Sequence, residues 1–106
     1  MQNLNDSKIT VINEKSYQFN TYHTFVIQVK NRKKLVSYLS KQGINTAVHY
    51  PIPIHLQPAA KFLGYKKGSF PIAEKQAKKI LTLPIHQNLK RKDLTRIVQT
   101  VNNFFN

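Results

Sequence analysis

With 106 residues and 41% apolar side chains, the chain is long enough for one small core and too apolar for wholesale disorder. No apolar run is long enough to cross a bilayer, and the opening residues Met1 to Asp6 lack the charged-then-apolar layout of a secretory signal. With no cysteine there is no disulfide framework, thiolate nucleophile or cysteine zinc site, and a cytoplasmic protein is expected. The net charge of +13 sets fourteen lysines and three arginines against Asp6, Glu14, Glu74 and Asp93. Such a balance favours anionic partners. Yet the cations are spread over helix surfaces, and arginine, the usual reader of base edges, is scarce.

Residues 1 to 20 show no clear period and read as a loosely held lead-in, with room for a short strand at Ile9 to Ile12. Tyr22 to Val29 alternates, with Phe25, Ile27 and Val29 on one face, as a half-buried strand does. Asn31 is placed to cap a helix running to Gln42, with Leu35, Val36 and Leu39 as its apolar stripe and Gly43 in the position of a left-handed terminator. A second strand is expected at Ile44 to Val48.

The stretch His49-Tyr50-Pro51-Ile52-Pro53-Ile54-His55-Leu56-Gln57-Pro58 follows. Three prolines within eight residues remove donors, fix φ and push each preceding residue toward extended geometry. A stiff loop of this kind presents two histidines and a tyrosine at low ordering cost. The alternative is a connector whose rings and isoleucines only pack. Beyond it, Gln57 to Leu63 reads as a short helix, and Gly64 and Gly68 bracket a turn. Pro71 opens a helix with Glu74 and Lys78 at i,i+4 and with Ala73, Ala77 and Ile80 inward. Leu81 to Ile85 suits a short edge strand, since Pro84 cannot donate to a ladder. Leu94, Ile97, Val98, Val101, Phe104 and Phe105 define the last helix, whose first turn is crowded by Lys90, Arg91 and Lys92, offset by Asp93. This order implies a small α/β sandwich of α+β type, with helices covering a three- or four-stranded, mainly antiparallel sheet.

The run from Lys41 through Gly43, Val48, His49-Tyr50-Pro51, Pro53, His55 and Gln57 resembles the C-terminal domain of the DegT/DnrJ/EryC1/StrS family of pyridoxal-phosphate-dependent sugar aminotransferases. Leu63-Gly64-Tyr65, Gly68, Phe70-Pro71-Ile72-Ala73-Glu74 and Leu81-Thr82-Leu83-Pro84-Ile85 match later landmarks in the same order, so the resemblance covers about Tyr22 to Phe105. The cationic start of the last helix departs from the family, which usually has a hydroxyl cap followed by acids. The resemblance implies the small domain of a fold-type I enzyme, spanning residues 21 to 106. It implies pyridoxal phosphate in the complete enzyme and none bound to this chain alone, because the Schiff-base lysine and most phosphate-binding residues lie in the family's large domain. Expected partners are that large domain, a nucleotide-linked keto-sugar and, when complete, a second subunit of a homodimer; no membrane and no specific nucleic acid are expected.

The resemblance also implies that His55, then His49 and Tyr50, border the nucleotide-sugar pocket. An imidazole or phenol can bond sugar hydroxyls, and an imidazolium can offset a diphosphate. The ring of His55 is then expected to be partly exposed. His23 and His86 are assigned no role, and the spacings of the four histidines match no zinc-ligand pair. Two other readings stay open: a small basic nucleic-acid-binding module, and a non-catalytic partner of a split aminotransferase. Against the first, Tyr22, Phe25, Phe104 and Phe105 fall at core-facing periods rather than between basic residues.

Overall fold

A computed structural model describes residue 4 and residues 7–106; residues 1–3, 5 and 6, Asp6 among them, lie outside the described residues. Three strands, β1 (Ile9–Val11), β2 (Phe25–Val29) and β3 (Ile80–Leu83), form one antiparallel sheet in the order β1-β2-β3. Ile27 stands opposite both Val11 and Leu81, and Phe25 opposite Leu83. Side chains alternate across a pleated strand, so Phe25, Ile27, Val29, Leu81 and Leu83 share one face. Helices α1 (Arg32–Lys41) and α3 (Arg91–Phe105) supply Leu35, Leu39, Ile97 and Val101 to the same core cluster. Leu4 belongs to it as well. This is the expected small antiparallel sheet with helices.

Several boundaries differ from the sequence reading, each for a local reason. The strand expected from Tyr22 begins at Phe25, because Tyr22 takes a left-handed φ of 51°. Asn31 precedes α1 but is itself left-handed, and its side chain makes no capping bond. Gly43, at φ +78°, does terminate α1. Its N–H donates to Ser40 O at 3.0 Å and the Ile44 N–H to Leu39 O at 2.9 Å, the paired bonds of a Schellman motif, with Ile44 buried.

That motif explains why Ile44 to Val48 forms no strand. The Ile44 amide is committed to the helix end, and only Ala47 reaches the sheet, exchanging two bonds with Thr82 at 3.2 and 2.7 Å. The helix expected at Gln57 to Leu63 is a 3-10 helix over Pro58–Leu63, closed by Gly64 at φ +76°. Helix α2 (Pro71–Ala77) stops short of Ile80, which starts β3 rather than facing inward from a helix. The Arg32 guanidinium meets the freed carbonyls there, bonding Ala77 O at 2.6 Å and Ile80 O at 3.1 Å. The crowded start of α3 is relieved by Asp93, whose carboxylate accepts from the Lys90 N–H at 3.2 Å while its own N–H donates to Lys90 O.

Candidate functional site

The loop after Val48 bends at His49 and again at Pro51 and Ile52 instead of running extended to Pro53. There the chain turns in a single 3-10 turn, Ile54–Leu56, with the Leu56 N–H on Pro53 O at 2.9 Å and the Gln57 N–H on Ile54 O at 3.2 Å. The turn drives the His55 ring inward, where only 9% of the residue remains exposed. The expected partly exposed His55 is therefore corrected to a buried one. Its partner is a side chain rather than its own backbone: Nε2 lies 3.2 Å from Glu74 Oε2. The Phe70 ring packs edge-on against the imidazole at a centroid distance of 4.9 Å, and Tyr65 packs edge-on against Phe70.

His55, Phe70 and Tyr65 line an open groove of about 550 Å³ together with Tyr50, Ile52, Ile54, Ala73, Gln76 and Ile80 among others. By strand alternation Ile80 points away from the face that carries Leu81 and Leu83. The sheet thus separates the α1/α3 core from the groove. Ala73, expected to face inward, is exposed on this side. Tyr50 is 67% exposed on the rim. His49 turns elsewhere: its Nδ1 lies 3.0 Å from Thr82 Oγ1 on β3, and its ring meets Tyr50 edge-on at 5.3 Å. The structure therefore brings His55 and Tyr50 to one groove and leaves His49 as the anchor of the loop's start. His23 and His86 are exposed and do not line it. Among the described residues no three His, Cys, Asp or Glu side chains gather to hold a metal ion.

Glu74 is the residue the sequence reading missed, having assigned it to a helical pair with Lys78. Its Oε1 accepts the Gly68 N–H at 2.7 Å, and its Oε2 accepts the Phe70 N–H at 3.1 Å as well as facing His55. The usable signal was its place four residues after Phe70, within reach of amides at the helix start. The Gly68 amide does most to hold the Glu74 carboxyl below its ordinary value; partial burial opposes this, and the Phe70 amide and His55 reinforce it. A carboxyl depressed in the folded state stabilises the fold at pH above its unfolded pKa, and that contribution disappears as pH falls through the folded value. The stability gap between wild type and Glu74→Gln is accordingly expected to narrow on acidification. Urea unfolding at neutral pH and below the carboxylate range measures it; a gap that stays constant or widens contradicts the assignment.

The model of the DegT/DnrJ/EryC1/StrS aminotransferase family matches residues 1–102. The chain is 40% identical over 88 residues to the pleiotropic regulatory protein of Geobacillus stearothermophilus, covering 83% of this chain and 24% of that protein. It is 37% identical over 95 residues to dTDP-3-amino-3,6-dideoxy-alpha-D-galactopyranose transaminase of Aneurinibacillus thermoaerophilus, covering 90% and 25%. The fold superimposes on DesV of S. venezuelae, solved in complex with a ketimine intermediate, with a TM-score of 0.86 and 33% identity, over 92% of this chain and 26% of that one. The chain thus spans about a quarter of the length of these relatives.

Proposed function

Since the chain belongs to the DegT/DnrJ/EryC1/StrS aminotransferase family, we propose that it forms the substrate-facing small domain of a pyridoxal-phosphate-dependent transaminase acting on a nucleotide-linked keto-sugar. The observation that carries this reading is the groove: an apolar trough lined by Tyr50 and by His55, whose ring is held from behind by Glu74, on the side of the sheet away from the core. Ligand sites of this type combine apolar walls with a few placed polar groups. The related transaminases named for dTDP-linked amino sugars support the nucleotide-sugar class.

In transamination pyridoxal phosphate supplies the electron sink. The lining of the groove contains no lysine for a Schiff base and no arginine for a phosphate, so these residues alone do not fit the cofactor; the large domain would hold it. What this chain contributes is orientation and exclusion of water. Tyr50 offers a hydroxyl at the mouth, the imidazole of His55 offers a ring nitrogen, and Phe70 and Tyr65 keep the wall apolar.

The purified chain is expected neither to transaminate nor to take up pyridoxal phosphate at one stoichiometric lysine. An absorbance band mapping to a single lysine overturns that; diffuse modification of many lysines does not bear on it. The positive test is a chimera in which this chain replaces the matching fifth of the Streptomyces venezuelae dTDP-3-amino-3,4,6-trideoxy-alpha-D-glucose transaminase, to which it is 39% identical over 80 residues. Retained turnover supports the reading. A folded, cofactor-loaded chimera without turnover opposes it.

A further inference from the structure

The arrangement around Glu74 defines more than a structural clasp. An ionised carboxylate only accepts hydrogen bonds. The contact at 3.2 Å between Oε2 and His55 Nε2 therefore requires the proton on Nε2. Gly68 and Phe70 donate amides to the same carboxylate, and this favours its charged form. Glu74 is itself only 13% exposed at its side chain, so bulk water competes weakly for the remaining acceptor position. Among the described residues no buried side-chain nitrogen or oxygen lacks a partner, and the protein contact of the His55 ring is through Nε2. His55 lines the groove, and Nδ1 is the ring nitrogen that the Glu74 contact leaves uncommitted.

From this geometry we infer that Glu74 is a positioning residue that fixes His55 as the Nε2–H tautomer, leaving Nδ1 as a hydrogen-bond acceptor directed to the groove. The inference rests on the reading that the groove receives substrate, and it refines what the groove selects. A neutral ring held this way accepts from a donor such as a sugar hydroxyl. In that neutral form it offers nothing to a group that only accepts, such as a keto oxygen or a diphosphate oxygen, whereas an imidazolium would donate from Nδ1. The keto-bearing and phosphate-bearing ends of a nucleotide sugar are then directed to other groups, and a hydroxyl of the ligand is directed to His55. In helix α2 the acid lies one turn past the helix start, so the clasp joins three chain segments: the proline loop through His55, the turn through Gly68 and Phe70, and α2 itself.

The tautomer is measurable on the chain itself by nitrogen-15 NMR of the histidine side chains, recorded above the ring's titration. In wild type, His55 Nε2 is expected in the protonated range and Nδ1 in the unprotonated range. In Glu74→Ala, the His55 ring is expected to relax toward a mixture of tautomers, and the Gly68 and Phe70 amide protons to exchange faster. A wild-type ring found as the Nδ1–H tautomer, or as an even mixture, overturns the inference whether or not the variant folds. A folded variant that perturbs both amides and leaves the His55 tautomer unchanged also overturns it, reducing Glu74 to a turn-stabilising residue. Because the readout needs no substrate, failure here is separate from failure of the groove as a substrate site, which turnover of the chimera reads.

Discussion

Leu81→Ala is expected to destabilise the fold by about 2–5 kcal/mol, the range for truncating a leucine in a packed core. Leu81 is fully buried, stands opposite Ile27 in the ladder and lies in the cluster shared by α1 and α3. A domain of this size has only about 5–15 kcal/mol in total, so the variant should lose a large fraction of its stability or fail to fold. Ile72→Ala, at an exposed position of α2, serves as the control and should change stability by no more than about 0.5 kcal/mol. Urea unfolding of both decides the matter. Equal losses at the two positions would mean that the core is not where the structure places it.

His55→Ala in the complete enzyme, or in the chimera, is expected to lower turnover of the nucleotide sugar while leaving cofactor absorbance in place. A lost hydrogen bond to a neutral hydroxyl costs about 0.5–1.5 kcal/mol and one to a charged group about 1.5–3 kcal/mol. At about 1.4 kcal/mol per decade, a hydroxyl partner therefore gives roughly a twofold to tenfold loss, and a charged one roughly tenfold to a hundredfold or more. The size of the loss thus identifies the partner: an acceptor Nδ1 predicts the smaller range. Unchanged turnover with an intact fold would make His55 a scaffold residue. Because the ring also bonds Glu74, the stability of the variant has to be measured beside its activity. A loss of turnover that tracks unfolding counts against a substrate contact.

Much of the architecture is legible before any coordinates. The alternation of Phe25, Ile27 and Val29 identifies β2, the three-and-four spacing from Leu94 to Phe105 identifies α3, and Gly43 marks the end of α1, because each is a local pattern with a local cause. Ile44 to Val48 misleads because β-branched residues suit a strand, while the Schellman bond that uses the Ile44 amide is invisible in composition. The site is less legible than the fold. Proline spacing identifies a stiff loop and Tyr50 on its surface, but the turn at Ile54–Leu56 that buries His55 depends on what waits beneath it. That partner, Glu74, is 19 residues away, and no helical or strand period connects positions so separated. Long-range pairing of polar side chains is a tertiary event, and propensity carries no trace of it.

The single bridge at Ala47 has a consequence for how this chain meets others. A terminal strand with free amides and carbonyls is a template for adding another strand, the usual route to edge-to-edge aggregation. On β3 that template is interrupted: Thr82 gives both its main-chain groups to Ala47, and Pro84, immediately beyond Leu83, has no amide to offer. At the opposite margin β1 is only three residues long. Neither margin is a good seed for sheet extension, although the groove exposes Ile52 and Ile54. Association of this chain is thereby steered toward contact between side chains, which can be specific and reversible, and away from the open-ended stacking of backbones.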